Sequence, residues 1–107
     1  MAFKEAQKQV DDWVTQYDPA YWKPLEQLAR LTEEVGELAR EMNHQFGAKR
    51  KKSNEATNSL EQELVDVIFT TICIANSNNI DLDKSWNKMV EEKMQKRDKN
   101  RFSKTKP

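Results

Sequence analysis

The sequence predicts an all-α protein, and three observations carry that expectation. Only two glycines occur in 107 residues. Turn-rich stretches with alternating polar and apolar residues are absent, which argues against strands. Apolar residues instead recur at helical spacing in four stretches, separated by Pro, Asn or basic segments. The length fits one domain, expected over 1–102 with a frayed tail at 103–107.

A first helix is expected near 3–17, with Phe3, Val10, Trp13, Val14 and Tyr17 on one side. Asp18-Pro19 ends it, because the residue before a proline disfavours α geometry. Pro24 suits the first turn of a second helix. That helix runs Leu25, Leu28, Leu31, Val35, Leu38 and Met42 down one stripe, with Gly47 as its stop. A polar, basic loop follows at 47–56. The third helix is expected over about 57–78 and ends in the Asn-rich stretch Asn76–Asn79. Asp81 is a good N-cap for a fourth, which carries Leu82, Trp86, Met89, Val90 and Met94.

The third helix reads LVDVIFTTICIA from Leu64 to Ala75, with Asp66 as its only charge. A helix apolar on nearly every face is buried. Three neighbouring helices in so small a chain cannot cover it, so part of it is expected to pack on a second copy, in a homodimer or a dimer of dimers.

Charge excludes several classes of function. There are 18 basic and 18 acidic residues, so no overall field attracts nucleic acid or membrane. The charges are segregated, however. Residues 33–41 carry four glutamates against one arginine, while Lys49-Arg50-Lys51-Lys52 and the segment from Lys88 onward are basic. Cys73 is the one cysteine. It is expected to be a small core residue, and no disulfide can form within the chain, which fits a reducing cytoplasm. The N-terminus lacks an apolar signal core, and no apolar run is long enough for a bilayer. His44 is the only histidine, so a Ser-His-Asp set has little to draw on. It is expected at the surface or the helix end. A Gly-rich phosphate loop is absent too.

Chemistry is expected from two acidic motifs. Glu33-Glu34-x-x-Glu37 lies on the second helix and Glu63-x-x-Asp66 on the third. Residues three apart on a helix lie about 60° apart around its axis, one turn up. If the two helices pack antiparallel, four acids converge. Like charges that close repel unless a cation separates them. All-oxygen anionic ligation suits a hard divalent ion, Mg²⁺ first and Mn²⁺ second. Asp66 alone is equally explained by a buried ion pair, and Arg30 and Arg40 stand at helical spacing to pair with Glu34 and Glu37. Gly36, inside the first motif, either permits close helix packing or leaves room for metal, water or substrate.

These residues resemble the EExxE…ExxD signature of the MazG-like nucleotide pyrophosphohydrolases, within the all-α NTP pyrophosphatase superfamily. The flanks LARLTEEVGELAREMNHQFG, ELVDVIF, ANSNNIDLDKSW and RDKNRF agree, so the resemblance covers roughly 20–102 and is nearest the short, stand-alone members. It implies a four-helix fold packed into bundles across a dimer, often a tetramer. It implies Mg²⁺-dependent cleavage of a nucleoside triphosphate to a monophosphate and pyrophosphate, as nucleotide-pool house-cleaning. Carried over by position, Glu34, Glu37, Glu63 and Asp66 would bind metal. Glu33 could orient or activate water, or only shape the acidic site. Lys93, Arg97 and Arg101 would contact phosphates, and Asn76 could reach sugar or base. Tyr21 and Trp22 could stack on a base; Trp13 and Trp86 are read as core or interface. Two alternatives stand beside this: a non-catalytic helical interaction module, and a single-substrate relative of dUTPase-like or phosphoribosyl-ATP pyrophosphatase type.

Overall fold

The computed structural model describes residues 2–47 and 59–105. The expected start of the third helix at 57, the basic block 49–52 and the last two residues lie outside that range. Four α-helices follow in order: α1 Phe3–Val14, α2 Pro24–Phe46, α3 Leu60–Ser77 and α4 Leu82–Met89, with a π-helical continuation over Val90–Arg97. No strand occurs among the described residues.

Local chemistry explains most boundaries. α1 stops at Val14, earlier than expected. Thr15 Oγ1 bonds back to Asp11 O at 2.7 Å, and Tyr17 N reaches Val14 O at 3.0 Å, so the chain tightens into turns before Pro19 is reached. Its N-terminus is tied down from α4: Asp83 accepts from Phe3 N at 2.8 Å and Lys4 N at 3.0 Å. A carboxylate there satisfies orphan amides and complements the helix dipole. Pro24 opens α2 as expected, and Glu26 folds back to accept from Lys23 N at 3.1 Å. Gly47 ends α2 in extended geometry (φ −98°), not the left-handed turn usual for a terminal glycine. Space is what requires glycine here: a Cβ would meet Asn43 O at 2.7 Å.

Ser59 and Gln62 cap α3 reciprocally, at 3.1 Å and 2.9 Å. At its end Asn79 takes a positive φ of 56°, which a short polar side chain tolerates. Asp81 caps α4 through Lys84 N at 3.2 Å, as expected. The fourth helix does not continue as α. Asp98 N bonds to Lys93 O five residues back, at 2.8 Å. The same spacing sets Lys96 Nζ over Glu91 Oε1, at 3.3 Å.

α2 and α3 form the principal pair, and α1 packs on α3 and α4. Ser77 Oγ lies 3.1 Å from Gln27 Oε1, while Glu34 and Glu37 meet Glu63 and Asp66. Moving forward along α2 is therefore moving backward along α3, so the two run antiparallel. Gln7 of α1 locks the far end: its Nε2 donates to Asn76 Oδ1 and Ile80 O, and its Oε1 accepts from Leu82 N.

A single chain does not enclose α3. Leu64, Val65 and Ile68 are 46%, 58% and 51% exposed, and Asp66 is exposed as well. The fully buried apolar residues among those described are Val14, Ile72 and Ala75. The buried residues of α3 are Glu63, Thr70, Ile72 and Ala75, so polar and apolar side chains both point inward while Leu64, Val65 and Ile68 stay outside.

Candidate metal centre and nucleotide cleft

The antiparallel α2–α3 pair places Glu34, Glu37, Glu63 and Asp66 so that one oxygen from each lies within 4.8 Å of the others. Oxygens around a single hard cation span about 4–5 Å, so the four fit one ion. Burial is uneven. Glu34 and Glu63 are each 2% exposed, Glu37 is half-buried and Asp66 is exposed. The costly buried carboxylates are thus Glu34 and Glu63, where the sequence pointed to Asp66.

Glu34 and Glu63 each leave one oxygen, Oε2, enclosed and without a hydrogen-bond partner. An enclosed, unpartnered carboxylate oxygen is expensive unless a cation satisfies it. Glu34 Oε1 is held by Arg30 Nη2 at 2.7 Å. Burial pushes the Glu34 carboxyl above its ordinary value; Arg30 opposes this, and Glu37, Asp66 and Glu63 add to it. The pairing expected for Arg30 is present, whereas Glu37 has no ion pair among the described residues. Gly36 leaves open space: a Cβ there would meet nothing within 4 Å, so close packing inside the chain is not its reason.

Beside the acids lies a cavity of about 460 Å³. Trp13, Tyr17, Tyr21, Trp22 and Phe69 give it an aromatic wall, and Arg30, Glu34 and Asp66 mark its acidic end. Trp13 meets Tyr17 edge-on at 5.3 Å and Phe69 at 6.1 Å. The Tyr21 hydroxyl donates to Asp11 Oδ1 at 2.6 Å and accepts from Asn76 Nδ2 at 3.1 Å. Burial first, then the Asp11 bond, pushes its pKa up to about 12, so it stays a neutral phenol. A cleft with aromatic walls at one end and carboxylates with an arginine at the other can hold a planar base and a charged tail together.

The other expected site residues are placed as follows. Glu33 lies outside the four-oxygen set, 66% exposed, with its Oε2 3.9 Å from Arg30 Nη1. The Asn76 amide is engaged by Gln7 and Tyr21, behind the cavity wall. Lys93, Arg97 and Arg101 do not line the cavity. Arg97 and Arg101 bond to Asp98, at 3.1 Å and 3.4 Å. Trp86 stacks on Phe3 at 5.4 Å, away from the cleft. His44 is half-buried near the end of α2. Cys73 lines the cavity instead of the core, and burial pushes its thiol pKa up. Sequence reading missed Gln27, which is 6% exposed and lines the cavity. Its place seven residues before Glu34, on the same helix face, was the available signal.

Comparison with known proteins gives the family and the fold. The profile of the MazG nucleotide pyrophosphohydrolase domain matches residues 23–102. YpjD of Bacillus subtilis, whose function is not characterised, is 44% identical over 100 residues, covering 94% of this chain and 89% of that protein. Its crystal structure superposes with a TM-score of 0.77 at 42% identity, covering 87% and 95% of the two chains. The Bacillus-conserved MazG protein, a nucleotide pyrophosphohydrolase, superposes with a TM-score of 0.74 at 46% identity, covering 86% and 88%. With its acids, antiparallel helix pair and 80-residue match in register, this chain belongs to the MazG nucleotide pyrophosphohydrolase family and is a hydrolase.

Proposed function

We propose that the protein is a Mg²⁺-dependent nucleoside triphosphate pyrophosphohydrolase that turns a (d)NTP and water into a (d)NMP and pyrophosphate, clearing the nucleotide pool. The observation that carries the metal requirement is the pair of enclosed, unpartnered oxygens, Glu34 Oε2 and Glu63 Oε2. Glu34, Glu37, Glu63 and Asp66 would hold the ion, and their all-oxygen donor set favours Mg²⁺, with Mn²⁺ able to replace it. When bound, the cation neutralises triphosphate charge and acidifies water. The aromatic wall of Trp13, Tyr21 and Trp22 holds the base, and Asn76 acts behind it by fixing the Tyr21 hydroxyl. Glu33 is proposed to orient the attacking water and take its proton, or to shape the acidic site from its rim. Water attacks phosphorus at the α–β bridge, and pyrophosphate leaves with the bridging oxygen. Lys93, Arg97 and Arg101, which lie outside the cavity lining of their own chain, would serve the departing pyrophosphate as cations.

The working unit is proposed to be a homodimer, with a tetramer as its extension. The single chain exposes 8967 Å², against about 6,200 Å² expected for a compact 12.6 kDa protein. Its radius of gyration is 17.6 Å, against about 13 Å for a compact chain of this length. A second copy seated on Leu64, Val65 and Ile68 would cover the apolar face of α3. Among the described residues no helix is long and apolar enough to cross a membrane, and the proposed site of action is the cytoplasm.

The test is to incubate the purified protein and Mg²⁺ with a panel of ordinary and modified (d)NTPs and identify the products. Monophosphate plus pyrophosphate establishes the reaction. Release of inorganic phosphate, or no release at all, overturns it.

A further inference from the structure

Arg30 is the one basic side chain among the described residues that line the cavity. Its Nη2 lies 2.7 Å from Glu34 Oε1, and its Nη1 stands 3.9 Å from Glu33 Oε2. The Arg30 side chain is 50% exposed, while Glu34 is 2% exposed. A guanidinium carries five N–H donors in a fixed fork, and only one of them makes a short bond here. The remaining donors have no side-chain acceptor at hydrogen-bond distance. A polyphosphate at this end of the cavity has Arg30 as its cation on the wall. Arg30 also shares a carboxylate with the metal cluster. Two cations on one carboxylate oppose each other.

We propose that Arg30 is a phosphate ligand held in reserve on Glu34, released to the nucleotide's polyphosphate when a divalent cation occupies the four acids. This rests on reading those acids as a cation site. The guanidinium end of the pair is 50% exposed and free to turn, and a cation among the four acids would take over the charge compensation that Arg30 gives the buried Glu34. A planar guanidinium matches two phosphate oxygens at once, which an ammonium cannot do. Metal and polyphosphate then assist each other, and by linkage the assistance is mutual.

The test is calorimetric, without turnover. Wild type, Arg30→Met and Arg30→Lys are titrated with Mn²⁺ alone, and then, loaded with Mn²⁺, with inorganic pyrophosphate. Removing the competing charge in Arg30→Met should tighten Mn²⁺ binding about threefold. Losing the charged donors should weaken pyrophosphate binding about tenfold or more. Opposite signs for the two ligands cannot arise from general loss of structure. Arg30→Lys should hold Mn²⁺ as wild type does and bind pyrophosphate less well, and it carries the test alone if Arg30→Met fails to fold. Weaker Mn²⁺ binding in Arg30→Met with pyrophosphate unaffected would show that Arg30 only positions Glu34, which overturns the proposal. Unchanged pyrophosphate binding in Arg30→Lys overturns it too. A wild-type protein that does not bind Mn²⁺ overturns the metal reading itself, and this inference with it.

Discussion

Glu34 on α2 and Glu63 on α3 face each other across the antiparallel pair, each 2% exposed and each with its Oε2 enclosed and unpartnered. Among the described residues only Glu34 of the two is ion-paired, with Arg30 at 2.7 Å. Without metal, this pair works against the fold. Glu63→Gln removes one charge and adds two donors, so it should raise the melting temperature of the metal-free protein. The same change should abolish the stabilisation that Mg²⁺ gives wild type and cut turnover by at least about 100-fold. Thermal melts with and without Mg²⁺, beside product assays, check both halves. A Glu63→Gln protein that melts lower without metal and still responds to Mg²⁺ would remove Glu63 from the site.

A pH dependence follows from the same burial. The Glu34 carboxyl is raised above its ordinary 4.5, chiefly by desolvation. A raised acid binds its proton more tightly folded than unfolded, so its ionisation opposes folding. Its contribution to the metal-free protein is therefore greatest when protonated, and it is lost as pH rises through the folded value. With Mg²⁺ the direction reverses, because the ionised carboxylate is the ligand and protons compete. Melting temperature against pH, from the ordinary carboxylate value to neutrality, should separate the two. The gap between metal-loaded and metal-free melts should close on acidification in wild type. A gap that stays constant across the range would mean that Glu34 is not a ligand.

The elements of this fold were legible where one residue decides a boundary. Pro24 and Asp81 open helices because of what a proline ring and a short acid do to helix N-termini. The four acids were legible because i,i+3 spacing is rigid. Rotation of α3 was not. LVDVIFTTICIA has apolar residues on nearly every face, so hydropathy cannot say which side is buried, and the buried set proved to include Glu63 and Thr70 beside Ile72 and Ala75. The π-helical turn was hidden because Met89, Val90 and Met94 suit an α stripe, and nothing in the composition marks a five-residue spacing. The cavity was only half visible: its aromatics stand out in the sequence, but Gln27, Phe69 and Cys73 converge on it only through tertiary packing.

The exposed face of α3 makes a prediction about assembly. Ile68 is 51% exposed in the single chain and does not line the cleft beside the acids. Were the chain complete alone, Ile68→Asp would change stability by no more than about 0.5 kcal/mol. Covered by a second copy, the same aspartate is buried without a partner. Ile68→Asp should therefore sediment as a smaller species than wild type at micromolar concentration, or aggregate. Phe69→Asp is a poorer probe, because Phe69 also meets Trp13 in the cavity wall. Equal sedimentation and stability of Ile68→Asp and wild type would mean that this face stays open.

Tyr21 separates two roles in one side chain. Its hydroxyl is spent on structure, bonded to Asp11 at 2.6 Å and Asn76 at 3.1 Å, while its ring lines the cavity. Tyr21→Phe keeps the ring and leaves the half-buried Asn76 amide with Gln7 alone. It should cost about 1–2 kcal/mol of stability and leave nucleotide affinity within about threefold of wild type. Tyr21→Ala removes the wall as well. Base–aromatic stacking is worth about 1–3 kcal/mol, so Tyr21→Ala should weaken nucleotide binding by at least about fivefold beyond Tyr21→Phe. Mn²⁺ affinity should stay unchanged in both, since neither change touches the acids. Denaturant melts and titration with a nonhydrolysable nucleotide read the two effects apart. If Tyr21→Phe loses as much nucleotide affinity as Tyr21→Ala, the hydroxyl is what matters to the ligand, and the Asp11–Tyr21–Asn76 chain is part of its recognition and not a brace behind the wall.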